Sequence, residues 1–132
     1  MTDLLPLDPD ELLTTTRSVR KRLDLERPVP IEVVREALEV AIQAPTGSNA
    51  QGWHWIVITD TDLKRQVADY YARSFAAYSA QRTVSTETAR RVAASAQYLA
   101  DVMGEVPVLV LGAIKTGGEL PEGNQAGVWG SL

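Results

Sequence analysis

The sequence predicts a single domain that combines several helices with two apolar strands. Apolar residues recur at helical spacing in segments such as residues 31–42, whereas two short runs are rich in aromatic and β-branched residues. Polar stretches that contain Gly or Pro separate these segments, which is typical of boundaries between elements. With 132 residues, the chain has room for one domain over residues 1–132 and little room for a second.

The composition excludes several classes of protein. The 45% apolar and 23% charged content is ordinary, and the formal charge of −4 gives no reason to expect a nucleic acid or an anionic membrane as partner. No apolar run could span a bilayer, and the N-terminus lacks the features of a signal peptide. The sequence has no Cys and one His, so only carboxylate-rich metal sites are open, and we assign no metal ligand. We expect a soluble, cytoplasmic protein.

The first half of the chain predicts two helices and a strand. Asp8 can cap the first helix, which should extend to about Thr16. The second helix carries an apolar face that should be buried, and Pro45 stops it. A polar, Gly-containing loop then leads to a strand rich in aromatic and β-branched residues. The predicted bounds are 8–16 and 31–44 for the helices, 46–52 for the loop and 53–59 for the strand.

The second half predicts two longer helices and a second strand. Asp60 or Thr61 caps the first of these helices, and Ser85 caps the second. The apolar run at residues 106–114 is typical of a central strand covered on both faces. Residues 125–132 predict the start of an apolar helix with nothing after it to cover it. Because two strands are too few for an independently stable sheet, we expect the chain to stop before the fold is complete.

A cluster of cations follows the first helix in this acidic protein. Arg17 and Arg20 can each present a planar fork of donors to a phosphate, and Ser18 can add a hydroxyl. Alternate side chains of an extended stretch share a face, so the four cations of residues 17–22 should not all reach one ligand. The alternative is a solvated basic turn paired with acids such as Asp24, which the spacing alone favours.

A second candidate segment is the loop between the second helix and the first strand, residues 44–51. Its small residues let a planar ligand approach the backbone, and Ser48, Asn49 and Gln51 can bind the polar edge of a heterocycle. The alternative is an ordinary helix-to-strand connection. The adjacent His54 has no Asp, Ser or Cys arrangement that would make a triad, so a structural role is favoured. Neither a Rossmann nor a P-loop signature occurs in the chain.

Taken in order, these segments resemble the opening of the nitroreductase family of FMN-dependent oxidoreductases. The resemblance consists of an Arg-Ser-x-Arg turn at residues 17–20, a helix that ends in Ala-Pro-Thr-Gly-x-Asn at residues 44–49, and a Gln-x-Trp that opens a strand at residues 51–53. Residues 106–114 and 125–131 are also similar to that family. The resemblance covers nearly the whole chain but only the first part of a family domain.

The resemblance implies an α+β fold with a mixed central sheet flanked by helices, and an intertwined homodimer with FMN at the interface. By this analogy, the phosphate, ribityl chain and pyrimidine edge of FMN contact Arg17, Ser18 and Arg20. The partner subunit contributes residues that face the flavin: Pro45, Thr46, Ser48, Asn49 and, as a weaker candidate, Gln51. Gly52 stands where Pro is common in the family, which loosens the turn.

The implied activity is transfer of reducing equivalents from NAD(P)H through FMN to a small organic acceptor, nitroaromatic or quinone-like. The flavin supplies the chemistry, so we assign no catalytic side chain. Two other hypotheses stay open: a truncated or degenerate flavin-binding or interaction module without turnover, and a member diverged to flavin destruction or dehalogenation. Four aromatic residues at helical spacing are expected in the core or at a subunit interface rather than against the flavin: Tyr70, Tyr71, Phe75 and Tyr78.

Overall fold

The structure, a computed structural model, describes residues 7–115 of the chain. Its helices are α1 Pro9–Thr15, α2 Ile31–Ala41, α3 Thr61–Ala80 and α4 Glu87–Val102, and its strands are β1 Trp53–Ile58 and β2 Leu109–Ile114. The described residues group into two units, one of residues 7–25 and 65–106 and the other of residues 26–64 and 107–115. We call these the first and the second unit. The helix expected at residues 125–132 lies outside the described residues, and the single-domain assignment stays a prediction.

Local side-chain caps fix the starts of α1 and α3, as the sequence predicts. The carboxylate of Asp8 accepts the backbone N–H of Glu11 at 2.8 Å. The carboxylate of Asp60 accepts the N–H groups of Asp62 and Leu63 at 3.0 and 2.9 Å. These N–H groups have no partner inside the first turn of a helix, so a carboxylate placed just before the turn stabilises it.

The start of α4 differs from the prediction by one residue. Its cap is Thr86, whose hydroxyl accepts the N–H of Ala89 at 3.1 Å, so the predicted cap Ser85 is wrong. Thr86 has φ −109° and ψ 157°, the extended conformation that directs a cap side chain at the free N–H groups of the first turn. Ser85 and Thr86 carry equivalent hydroxyls, and backbone conformation alone chooses between them.

The sheet lies in the second unit, where β1 and β2 pair antiparallel. Trp53 pairs with Ile114 and Ile58 with Leu109, and the N–H of Lys115 extends the ladder by donating to the carbonyl of Gly52 at 2.7 Å. Strand β2 begins three residues later than predicted, after Pro107, which has no N–H to give to a ladder. Within residues 7–115 the sheet has these two strands, and a mixed sheet needs more strands than this part of the chain supplies.

The apolar faces are less covered than the sequence predicts. Helix α2 buries Val34, whereas Ile42, at the end of the predicted apolar face, is 42% exposed. Ile56 of β1 and Val110 of β2 are 52% and 40% exposed, although both strands were expected to be covered on both faces. Two strands and the described helices offer too little surface to bury every apolar face. None of the helices in residues 7–115 is long and apolar enough to cross a membrane.

The chain passes very close to itself at Gly52, just before β1. A Cβ atom on Gly52 would lie 3.0 Å from the carbonyl oxygen of Lys115, a backbone atom. At Gly47, by contrast, a Cβ would have no atom within 4 Å. Backbone atoms of a hydrogen-bonded ladder cannot move aside as the tip of a side chain can, so a side chain at residue 52 would have to displace the ladder by a few tenths of an ångström.

We therefore expect Gly52→Ala to lower the free energy of unfolding by about 1–3 kcal/mol, because the added methyl group must displace the ladder. Gly47→Ala is the matched control and should stay within about 0.5 kcal/mol of the parent protein, since its methyl group meets open space. Urea unfolding followed by circular dichroism measures both variants. Equal stability of the two variants would contradict the close approach.

Candidate functional site

A cavity of about 800 Å³ in the first unit is lined by the basic segment that follows α1. Residues 17–22 line it together with Thr88, Arg91, Val92 and Ser95 of α4. None of these residues is acidic, although the protein as a whole has a formal charge of −4. Half of them are cationic: Arg17, Arg20, Lys21, Arg22 and Arg91. We call this space the basic cavity.

A turn brings the basic residues to one cavity. Residues 16–20 have no regular structure, and the N–H of Leu23 donates to the carbonyl of Arg20 at 3.3 Å, which closes a turn over Lys21 and Arg22. In a regular extended stretch, alternate residues would face opposite ways. Residues 17–22 are not a regular strand, and every residue from Arg17 to Arg22 lines the basic cavity.

The cations of the basic cavity differ in what they already bind. Arg17 Nη1 donates to the carbonyl oxygens of Thr16 and Thr14 at 2.6 and 3.1 Å, and so satisfies acceptors at the C-terminal end of α1. Within the described part of the chain, no carboxylate forms an ion pair with Arg20. The same holds for Lys21, Arg22 and Arg91. The pairing with Asp24 that a solvated basic turn would make is therefore not formed.

One face of α4 supplies the remaining polar groups of the basic cavity. Thr88, Arg91 and Ser95 recur three and four residues apart, which places them on the same side of a helix. Arg90, which directly precedes Arg91, is instead paired with Glu87 at 2.9 Å. Sequence reasoning missed this face, because no recognised motif contains it. Its one signal is the spacing of polar residues on an otherwise Ala-rich helix.

The chemistry of this cavity suits a phosphate group. Guanidinium groups bind phosphate through parallel hydrogen bonds, and the hydroxyls of Ser18 and Thr88 add donors of the same kind. Thr88 also lies in the first turn of α4, where the N-terminal end of a helix favours negative charge. The donor set is therefore that of an anion site.

Two further cavities of the first unit share residues with the basic cavity. One, of about 420 Å³, shares Arg20 and Val92, and the other, of about 370 Å³, shares Thr88 and Val92. Phe75 and Tyr78 of α3 line both. A ligand that carries a phosphate and an aromatic ring would find a basic and an aromatic surface side by side.

The aromatic residues of α3 form a ladder that is partly open to solvent. The rings of Tyr71 and Phe75 stack with centroids 6.1 Å apart, and the ring of Phe75 meets that of Tyr78 at 6.4 Å. Tyr70 and Tyr78 are 67% and 55% exposed, so they are not core residues of the described chain. Their assignment to a subunit interface stays a prediction.

The second candidate segment forms a tight turn in the second unit. A 3-10 turn spans Gly47–Asn49, and Ser48, Asn49 and Gln51 have φ of 54°, 55° and 45°. Residues other than Gly adopt this left-handed conformation at a cost of roughly 1–2 kcal/mol each. The hydroxyl of Thr46 accepts the N–H of Gln51 at 3.1 Å and holds the turn in place. The turn is thus held in an uncommon backbone conformation, and its role as a binding loop stays a prediction.

The predicted site residues thus fall into two groups, whose roles stay predictions. Arg17, Ser18 and Arg20 line one cavity of the first unit. One turn of the second unit contains Pro45, Thr46, Ser48, Asn49 and Gln51. His54 is exposed, and among the described residues its side chain makes one hydrogen bond, between Nδ1 and the carbonyl of Gly52 at 3.2 Å. This contact agrees with a structural role for His54.

Curated relatives match segments of this chain. A stretch of 57 residues is 35% identical to the iodotyrosine deiodinase of Nematostella vectensis and covers 40% of this chain and 22% of that protein. A stretch of 66 residues is 39% identical to the 4-nitrobenzoate reductase of Nocardioides sp. (strain LMS-CY) and covers 50% of this chain and 26% of that enzyme. The matched segments therefore span about a quarter of the length of these relatives.

A solved structure and a family model cover more of the chain. The crystal structure of oxidized iodotyrosine deiodinase bound to FMN and 3-iodo-L-tyrosine superposes with a TM-score of 0.65 at 23% identity, over 90% of this chain and 62% of that one. This likeness confirms the α+β fold that the sequence resemblance implies. The sequence model of the nitroreductase family matches residues 13–127, which is most of the chain. The chain therefore belongs to the nitroreductase family.

Proposed function

We propose that this protein is an FMN-dependent oxidoreductase whose basic cavity holds the phosphate of FMN. The observation that carries the proposal is the charge of this cavity, which five cations line and no carboxylate of residues 7–115 lines. A bound dianion would compensate this charge. Membership of the nitroreductase family supports a flavin as the source of that dianion.

The residues present fit FMN in their chemistry. Arg20 has no ion-pair partner in the described part of the chain, so its guanidinium is free to bind two phosphate oxygens. Arg17 retains donors beyond the Nη1 that contacts α1. Ser18 lies between them and offers a hydroxyl. These three residues would hold the phosphate end of the cofactor.

The loop of residues 45–51 would contact the flavin ring from a second copy of the chain. Its strained turn presents small and polar residues and is already fixed by the bond from Gln51 to Thr46, so little ordering would be needed on binding. When bound, FMN would supply the redox chemistry that carries reducing equivalents from NAD(P)H to a small organic acceptor. The chain's own residues bind and orient it, which is why no catalytic side chain is assigned. The homodimer and the cytoplasmic location stay predictions.

The acceptor belongs to one of two classes. A nitroaromatic or quinone-like acceptor agrees with the relative named 4-nitrobenzoate reductase. A halogenated aromatic acceptor agrees with the relative named iodotyrosine deiodinase. A third outcome, a flavin-binding module without turnover, would show neither reaction. We propose the first class, with reductive dehalogenation as the second candidate.

The bound cofactor is expected to be FMN and not FAD, because the basic cavity suits one compact phosphate group and the chain has no dinucleotide signature. The protein should be denatured after reconstitution with an equimolar mixture of both flavins, and the released cofactor identified by chromatography. FAD as the main released flavin would refute this proposal. Release of neither flavin would contradict the proposal that this protein is a flavoprotein.

Arg20→Ala should weaken FMN binding about 10- to 150-fold, since a hydrogen bond to a charged group contributes roughly 1.5–3 kcal/mol. Arg17→Ala should weaken it less, because one of its donors already serves α1. Arg73→Ala is the control: its Nε donates to the carbonyl of Asp69, and Arg73 lines none of the three cavities. Quenching of flavin fluorescence gives the affinities. If the Arg20→Ala variant binds FMN as tightly as the parent protein does, the basic turn is solvated and does not bind the phosphate.

NAD(P)H consumption should depend on added FMN and on a nitroaromatic or quinone acceptor. The assay compares 4-nitrobenzoate, a simple quinone and 3-iodotyrosine at equal concentration, with chromatography of each product. Turnover of 3-iodotyrosine alone would replace the proposed acceptor class by the second candidate. Flavin binding without turnover of any acceptor would indicate a flavin-binding module that is not an enzyme.

A further inference from the structure

We propose that Arg91 of α4, assisted by Thr88, is a second anchor for the phosphate group in the basic cavity. This inference rests on the proposed FMN site and adds to it a phosphate-binding residue from a distant part of the chain. The Arg-Ser-x-Arg turn and α4 both line the same cavity. A phosphate bound there lies within the space that both segments enclose.

Arg91 lies on the face of α4 that lines the basic cavity. Thr88, Arg91 and Ser95 share one helix face, and all three line the basic cavity. Thr88 lies in the first turn of α4, so an anion beside it would also meet the positive end of that helix. A guanidinium, a hydroxyl and a helix N-terminus are three donors of the kind that phosphate binds.

The neighbouring residues Arg90 and Arg91 differ in whether a carboxylate binds them. Arg90 is satisfied by Glu87, with Nη2 2.9 Å and Nε 3.0 Å from the same carboxylate oxygen. Arg91 is exposed and has no carboxylate partner in the described part of the chain. Helix α4 thus neutralises one cation and leaves the one that lines the basic cavity available to a ligand.

The residues around Arg91 in the basic cavity are also positively charged. Arg20, Lys21 and Arg22 line the same cavity as Arg91, and none of them is neutralised by a described carboxylate. Like charges repel when they lie within a few ångströms of one another, and salt screens this repulsion only in part. A doubly charged phosphate would turn the repulsion into attraction. It would bridge the turn after α1 to the start of α4.

The test uses the whole protein and three variants, Arg91→Ala, Arg91→Lys and Arg90→Ala. Each is titrated with FMN, with riboflavin, which has the same ring and no phosphate, and with inorganic phosphate. We expect Arg91→Ala to bind FMN about tenfold more weakly and riboflavin as the parent protein does. Arg91→Lys should recover part of the loss because it keeps the charge without the planar fork. Arg90→Ala should bind FMN within about twofold of the parent, as expected for an exposed ion pair elsewhere on the helix.

Two further outcomes overturn the inference. One is an unchanged FMN affinity in Arg91→Ala, and the other is an equal loss of FMN and riboflavin, which would indicate a general effect on the fold. Thermal melting of each variant, read by circular dichroism, identifies such an effect.

The phosphate titration separates this inference from the proposed function. If the parent protein binds inorganic phosphate but not FMN, and Arg91→Ala loses the phosphate, then the anchor stands and the flavoprotein proposal falls. If the parent binds neither ligand, both proposals fall.

Hydrogen exchange tests whether the phosphate bridges the two segments. Phosphate or FMN should slow exchange in residues 17–22 and in the first turns of α4 together, and Arg91→Ala should remove the protection of α4.

Discussion

The basic cavity concentrates positive charge in a protein that is acidic as a whole, and this electrostatic constraint organises the first unit. Five cations line a space that none of the described carboxylates lines. Such a cluster raises the energy of the unliganded chain through repulsion between like charges, which a bound anion would offset. Glu87, an acidic residue of α4, is paired with Arg90 instead.

Helix ends supply the frame of this cavity. The C-terminal carbonyls of α1 are satisfied by Arg17, which fixes where the basic segment leaves the helix. The turn closed between Arg20 and Leu23 then redirects the chain, and the first turn of α4 adds N–H dipoles and Thr88. Each part lies at the end of a helix or in a turn, where backbone groups lack the partners that the interior of a helix supplies.

The second unit meets a different constraint, which is steric. Lys115 approaches so closely that a Cβ atom on residue 52 would lie 3.0 Å from its carbonyl oxygen, and Ser48, Asn49 and Gln51 have left-handed backbone conformations. The same unit buries polar atoms that find no partner among the described residues, Oε2 of Glu36 and Nε1 of Trp55. Lys64 is buried as well, and its Nζ lies 3.3 Å from the carbonyl of Pro107. Polar groups in such positions are normally satisfied.

The sequence by itself determined the features that depend on neighbours along the chain. The caps Asp8 and Asp60, strand β1 and the Arg-Ser-x-Arg turn each follow from a few adjacent residues, and their order was specific enough to indicate the family. Tertiary structure decided the features that depend on residues far apart. Whether Arg90 or Arg91 lines the basic cavity depends on the rotation of α4 about its axis, and the exposure of Ile42 and Tyr78 depends on what packs against them. The close approach of the chain at residue 52 likewise comes from Lys115, and a steric contact between distant residues leaves no trace in the local pattern of either segment.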